Sequence, residues 1–188
     1  ELYREGYSVG DNVVKQLTEA IRVIPDFPQK GISFKDITPI LRDPETLRKA
    51  IEALRDACKD IDFDLIVAPE ARGFIVGSSL AYLMGKGFAP VRKEGKLPFK
   101  TLKGEYQLEY GTDTLEIHQD AVRPGEKVLI LDDLLATGGT ITATIDMVER
   151  LGGKVAAAVF LIELTYSPGR ANLSKKGYEV ISVLKLTD

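Results

Sequence analysis

Short, uninterrupted apolar runs set between helical periodicities dictate the architecture open to this chain. LIVA (Leu65–Ala68) and VLIL (Val128–Leu131) contain no polar alternation, and VAAAVFLIEL (Val155–Leu164) is broken only by Glu163. Runs of this kind are strands covered on both faces, the condition of a parallel sheet between helices. Phe88–Arg92 and Glu179–Leu184 add two further strands. Between them the spacing predicts helices: about Val9–Val23, with Val13, Val14, Leu17 and Ile21 on one side; Pro44 to about Lys59, capped by Asp43; about Gly73–Met84; and Thr140–Leu151, stopped by Gly152 and Gly153. Strands alternating with helices predict an α/β domain with a mainly parallel, twisted sheet flanked by helices. The 188 residues suit a single domain.

Two stretches fall outside that alternation. Residues 24–41 hold Pro25, Pro28, Pro39 and Gly31 among large apolar side chains, which predicts an ordered but irregular flap with no regular helix. Residues 93–104 are rich in lysine and glycine and read as a loop. Glu105–Tyr110 and Thr114–Ile117 then alternate as a hairpin around Gly111.

Composition narrows the function classes. The net charge of −3 argues against a general nucleic-acid binder but leaves room for a local basic site. Cys58 is the single cysteine, so no intrachain disulfide and no Cys-rich zinc site can form; its spacing with Leu47, Ala50, Ile51, Leu54 and Ile61 places it on an apolar helix face, as a core residue. His118, the single histidine, cannot anchor a polyhistidine metal site. With no signal peptide and no apolar run of transmembrane length, a soluble, cytoplasmic protein without membrane partners is expected.

In a parallel sheet, ligands bind beyond the carboxyl ends of the strands, and VLIL runs into DDLLATGGT at such a place. Ala136, Thr137, Gly138, Gly139 and Thr140 predict a tight turn into a helix start. Free N–H groups and the positive helix end attract phosphate there, and the glycines let the backbone come close. Neither a Walker A loop nor GxGxxG is present. Carboxylates repel phosphate, so Asp132 and Asp133 need other partners, for which sugar hydroxyls or a magnesium ion are the natural ones. A phosphate beside a ribose diol describes a ribose 5-phosphate. The bland reading is a capped helix beside solvated aspartates.

VLILDDLLATGGT resembles the phosphoribosyl pyrophosphate (PRPP) motif of type I phosphoribosyltransferases. PDFPQKGISFKDITPIL is similar to the N-terminal hood of the adenine phosphoribosyltransferase family. PEARGF, VRKEGKLP, LEYGTDTLEIHQDA and LIELT match further segments in the same order, from about Ile24 to Thr165. The resemblance implies the type I phosphoribosyltransferase fold with a hood over about 24–41 and a flexible lid over about 97–110. It implies transfer of the phosphoribosyl group from PRPP to N9 of adenine, giving AMP and pyrophosphate, with Mg2+ as cofactor and a homodimer as the assembly.

The resemblance also distributes roles. Ala136, Thr137, Gly138, Gly139 and Thr140 would hold the 5′-phosphate, and Asp132 and Asp133 the ribose, with Mg2+ held mainly through PRPP and pyrophosphate and the acidic pair as its candidate protein partners. Ala71, Arg72 and Gly73 would form the pyrophosphate loop, with Arg92, Lys93 and Lys96 as a clamp; Lys100 and Lys103 read as solvated. Many relatives have Asp-Ser where this chain has Glu70-Ala71, which leaves backbone contacts intact but puts a side-chain role at Ala71 in doubt. Phe34 would stack on adenine, Leu164 would line its other face, and backbone groups near Ser33 and Lys35 would read its polar edge. Phe27 would pack the hood. Glu109 matches the acid/base residue and Tyr110 its lid neighbour. The bland alternatives are core packing for Phe34 and Leu164, packing beside the turn for Tyr110 and a surface carboxylate for Glu109. Rival functions are transfer to another base, against which the hood speaks, and a regulator that binds PRPP without catalysis, against which Glu109 and the complete lid motif speak. The C-terminal part after Ser167 contributes little to the resemblance.

Overall fold

The computed structural model describes residues 10–108 and 111–187. Among these residues a seven-stranded sheet has the order β5-β6-β4-β3-β7-β8-β9, and a separate two-stranded ribbon joins β1 (Arg22–Ile24) to β2 (Phe34–Asp36). The apolar runs become β3 (Leu65–Pro69), β4 (Gly87–Lys93), β7 (Lys127–Leu135), β8 (Lys154–Leu164) and β9 (Val180–Leu186). All pairings among these five are parallel. The hairpin of β5 (Thr101–Leu108) and β6 (Gly111–His118) closes one edge, with β6 antiparallel to β4.

Alternate side chains of each central strand enter opposite layers. Ile66, Leu129 and Leu131 pack into the layer under α1 (Asp11–Glu19), α3 (Pro44–Cys58) and α4 (Arg72–Met84). Leu65, Val67, Val128 and Ile130 pack into the layer under α5 (Gly139–Arg150). Double-sided burial is why these strands carry no polar alternation, and each such side chain contributes about 1.5–3 kcal/mol when fully removed from water. Cys58 is fully buried in the first layer, as its helical spacing predicts. Asp43 caps α3 by accepting hydrogen bonds from the N–H groups of Glu45 and Thr46 at 3.1 and 2.8 Å.

Several boundaries differ from expectation. The first helix ends at Glu19, and Arg22–Ile24 pairs with β2 instead of continuing it. The flap contains a short helix, α2 (Thr38–Arg42), because Pro39 falls in its first turn, where a missing N–H is harmless. Asp36 supports that start by accepting from the Thr38 N–H at 2.9 Å. The basic loop covers only 94–100, since 101–108 pair along β6. Strand β7 continues through the acidic pair to Leu135. A seven-residue helix, α6 (Gly169–Lys175), follows β8 and has no counterpart in the sequence reading.

Strand β4 lies on one side of β3, while β7, β8 and β9 follow on the other. The order therefore reverses between β3 and β7, and a crevice opens beyond their carboxyl ends. Pro69 ends β3 there, followed by Glu70, Ala71 and Arg72, and β7 delivers Asp132 and Asp133.

Candidate active site

The turn after β7 has the form its sequence predicts. Gly138 has φ +82° and caps α5, a conformation that a side chain strains. Asp132, Ala136, Thr137, Gly138, Gly139 and Thr140 line a cavity of about 190 Å3. Helix α6 supports the turn from behind: the Gly169 N–H donates to the Ala136 carbonyl at 2.9 Å, and Asn172 Nδ2 donates to the Thr137 carbonyl at 3.1 Å. A Cβ at Gly169 would stand 2.3 Å from that Ala136 oxygen, so the close approach requires glycine. The C-terminal segment therefore shapes the cradle, and the run Ser167-Pro168-Gly169 was its one local signal.

The two aspartates occupy different settings. Asp132 Oδ1 accepts from the Asp133 N–H at 2.9 Å. A Cβ on Gly73 would lie 2.8 Å from the same oxygen, so the glycine after Arg72 makes room for the carboxylate. Burial and the neighbouring Asp133 charge push the Asp132 carboxyl well above the usual range. Burial also raises Asp133, and the Arg72 guanidinium opposes that rise. Arg72 Nε is 3.0 Å from Asp133 Oδ2, yet the contact is not aligned as a hydrogen bond and that buried oxygen has none. Two reluctant carboxylates with free acceptor capacity suit neutral donors such as a ribose diol.

Arg72 ties this pair to the hood. Its Nη1 donates to the Lys35 carbonyl at 3.1 Å, and its guanidinium lies 4.9 Å from the centroid of the Phe34 ring. Phe27 meets Phe34 edge-on at 5.2 Å. A cation at the start of α4 opposes the helix dipole, and the contact with Asp133 offsets that cost. Lys35 Nζ donates to Ser33 Oγ at 3.1 Å. Leu164 is 8% exposed and belongs to the core at the end of β8.

Across the crevice, Glu70 gathers the basic residues. Its Oε2 accepts from Arg92 Nε at 2.9 Å, and its Oε1 accepts from the Lys93 N–H at 2.9 Å and pairs with Lys96 Nζ at 3.3 Å. Burial alone would raise the Glu70 carboxyl; these donors together bring it below its ordinary value. The Glu70–Ala71 peptide is cis. Lys93 Nζ lies 3.2 Å from Asp113, which also accepts from the Tyr106 hydroxyl at 3.1 Å and the Thr114 N–H at 2.9 Å. The basic loop is also less free than its composition suggests. Buried Glu116 accepts from the N–H groups of Lys96 and Leu97 and from Thr101 Oγ1, and Lys103, read as solvated, pairs with Glu94.

The structure thus brings the cradle residues, Asp132, Asp133 and Arg72 to one crevice, and groups Arg92 and Lys96 on Glu70, with Lys93 beside them. Arg72 faces the hood and the acidic pair and is separate from that basic group. Glu109 and Tyr110 lie outside the described residues. The sequence marked Glu70 only as a departure from relatives and did not mark Asp113, Glu116 or Gly169, because the partners that give each its role come from other elements of the fold.

Comparison with known proteins follows the same lines. The family model for the phosphoribosyl transferase domain matches residues 36–185. The adenine phosphoribosyltransferase of Thermotoga neapolitana is 57% identical over 168 residues, covering 89% of this chain and 98% of that protein. That of Alkaliphilus metalliredigens is 57% identical over 169 residues, with 90% and 98% covered. The crystal structure of the Thermoanaerobacter pseudethanolicus enzyme superposes with a TM-score of 0.90 at 57% identity, covering 92% of this chain and 99% of that one. The Saccharomyces cerevisiae enzyme, complexed with an imino-altritol bisphosphate and adenine, has a TM-score of 0.85 at 39% identity over 92% and 99%. With the cradle, the acidic pair and the basic cluster at the strand switch point, this chain belongs to the adenine phosphoribosyltransferases of the phosphoribosyl transferase family.

Proposed function

We infer that the chain transfers the 5-phosphoribosyl group of PRPP to N9 of adenine, forming AMP and releasing pyrophosphate. One observation supports this reading above the others. The acidic pair stands at the switch point with the glycine-rich turn of residues 136–140 beyond it and Arg72, at the start of α4, beside it. The 5′-phosphate enters the turn of residues 136–140, and Asp132 and Asp133 accept hydrogen bonds from the ribose hydroxyls. Arg92, Lys93 and Lys96, with the loop of Ala71, Arg72 and Gly73, hold the pyrophosphate.

Adenine lies under the hood, against Phe34 and towards Leu164, with backbone groups near Ser33 and Lys35 reading its polar edge. The bond from C1 to the pyrophosphate oxygen breaks as the bond from N9 forms, so the ribosyl ring gains positive charge and the leaving oxygen negative charge. Fixed cations beside that oxygen stabilise the transition state, each worth on the order of 3 kcal/mol. Glu109 accepts the N9 proton, within the range of general-base catalysis.

Among the described residues, no three His, Cys, Asp or Glu side chains gather to hold a metal by themselves. Magnesium would come mainly with PRPP, and Asp132 and Asp133 are the residues that would hold it on the protein side. When bound, it would neutralise charge on the pyrophosphate.

A homodimer is part of the same reading. Helix α4 is apolar on its outer side too, with Ile75, Tyr82 and Leu83 exposed. A face of that kind favours burial against a second copy. Among the described residues no helix is long and apolar enough to cross a membrane, and charged substrates of this kind favour work in the cytoplasm.

The test is AMP formation from adenine and PRPP, with and without magnesium. Turnover confined to adenine and abolished by chelation is expected. Preference for another base would overturn the substrate, activity after chelation the metal, and PRPP binding without pyrophosphate release the enzymatic reading. Sedimentation as a monomer at micromolar concentration would remove the dimer.

A further inference from the structure

We propose that Glu70 is a built-in counter-charge of the pyrophosphate clamp, which weakens the hold on pyrophosphate so that it can leave. The proposal rests on the reading of Arg92, Lys93 and Lys96 as that clamp.

Glu70 has an unusual set of neighbours for a residue at a strand end. Its side chain is 10% exposed. One oxygen takes the Nε and Nη2 edge of Arg92, each at 2.9 Å. The other takes the Lys93 N–H at 2.9 Å and Lys96 Nζ at 3.3 Å. Four donors fill the acceptor capacity of a carboxylate. The Nε and Nη2 edge is also the part of arginine that grips a phosphate in bidentate fashion. The remaining Arg92 nitrogen, Nη1, points elsewhere and donates to the Lys96 carbonyl at 3.3 Å. Lys93 has a carboxylate partner of its own in Asp113. Every clamp cation therefore already has an anion, and incoming pyrophosphate must compete for it.

Such competition has a use. Three unopposed cations would stabilise the charge that develops on the leaving oxygen but would also hold the finished pyrophosphate tightly, and the part of that binding common to substrate and product slows release without helping the bond-breaking step. A fixed negative charge among them lowers affinity for both. Lys96 and Lys93 keep half or more of their side chains exposed, so each can swing from its carboxylate to a ligand. Glu70 itself stays anchored through the Lys93 N–H.

A purely structural role and a counter-charge role predict opposite signs. If Glu70 only orders the clamp, removing its charge loosens the clamp and weakens pyrophosphate. If it is a counter-charge, neutralising it tightens pyrophosphate. Glu70→Gln keeps an oxygen for the Lys93 N–H and removes the charge. Its inhibition constant for pyrophosphate as product should fall by about tenfold, with a lower KM for PRPP and unchanged KM for adenine. The dependence of that constant on salt should steepen, because more net positive charge meets the ligand. Glu70→Asp, which keeps the charge, should stay within about threefold of the parent on the same Coulomb argument. Glu70→Ser is a second neutral variant, and either neutral variant carries the test.

Weaker or unchanged pyrophosphate inhibition in the neutral variants would overturn the proposal, as would equal tightening in Glu70→Asp. Lys96→Gln in the parent separates the two levels. If it leaves pyrophosphate inhibition unchanged, the clamp assignment fails and the proposal with it. If it weakens inhibition while neutral Glu70 variants do not tighten it, the counter-charge alone fails.

Discussion

Arg72 and Asp133 meet across the crevice at 3.0 Å, joining the start of α4 to the end of β7. The arginine side chain is 32% exposed and the aspartate 5%, so the partner left behind after a substitution matters. Arg72→Gln strands a buried carboxylate. For a fully buried pair the loss is about 3–5 kcal/mol; the exposure of Arg72 reduces this to about 1–2 kcal/mol. A lower Tm for Arg72→Gln, and its recovery in Arg72→Gln with Asp133→Asn, is expected by calorimetry. The double variant should remain impaired in PRPP binding, since neither lost group is restored.

Asp132→Asn should stabilise the ligand-free protein while damaging catalysis. Burial and Asp133 raise the folded-state value of Asp132 above its unfolded one. Below the unfolded value both states are protonated and the variant gains nothing. As pH rises through the folded value the carboxylate ionises unfavourably, so the advantage of asparagine is full above it. A gain of about 1 kcal/mol, or about 2–4 °C in Tm, is expected at pH 8 and should vanish in acid. A Tm difference independent of pH would show that the carboxylate is not the source.

The support behind the glycine turn of residues 136–140 is testable at Gly169. Any side chain there meets the Ala136 carbonyl, 2.3 Å from the new Cβ. Glycine to alanine should displace the turn, raise the KM for PRPP by on the order of tenfold and lower Tm, while the KM for adenine changes little. Equal rises for both substrates would mean a general loss of structure.

Glu109→Gln tests proton transfer. The carboxylate lies outside the described residues, so its role stands on sequence similarity and on the chemistry of N9. A kcat lower by about 100-fold with unchanged AMP affinity is expected, in the range of general-base catalysis. Full turnover would assign the proton to solvent.

Asp36 gives a pH-dependent stability contribution in the opposite sense. Hydrogen bonds from the Thr38 side chain and backbone hold its carboxyl below the usual range, with Arg22 and Arg72 adding to the effect against burial. That stability is present above the unfolded value and lost as pH falls through the folded one. Asp36→Asn should lower Tm at neutral pH and leave it unchanged in strong acid; a loss that persists in acid would point to packing instead.

The amino-acid sequence determined the elements whose cause is local or periodic. Double-sided apolar runs specified the parallel strands, Asp43 and Pro44 opened a helix, and TGGT specified a tight glycine turn into α5. Motif order placed the acidic pair, the basic loop and the hood in the correct family. Tertiary structure decided what depends on long-range partners. The reversal of strand order put the end of β3 beside the end of β7, and only then could Arg72 reach Asp133 and Gly73 leave space for Asp132. Glu70 and Gly169 are ordinary in sequence, because a charge or a missing side chain has meaning only through the groups folded against it, and those groups arrive from other strands and helices.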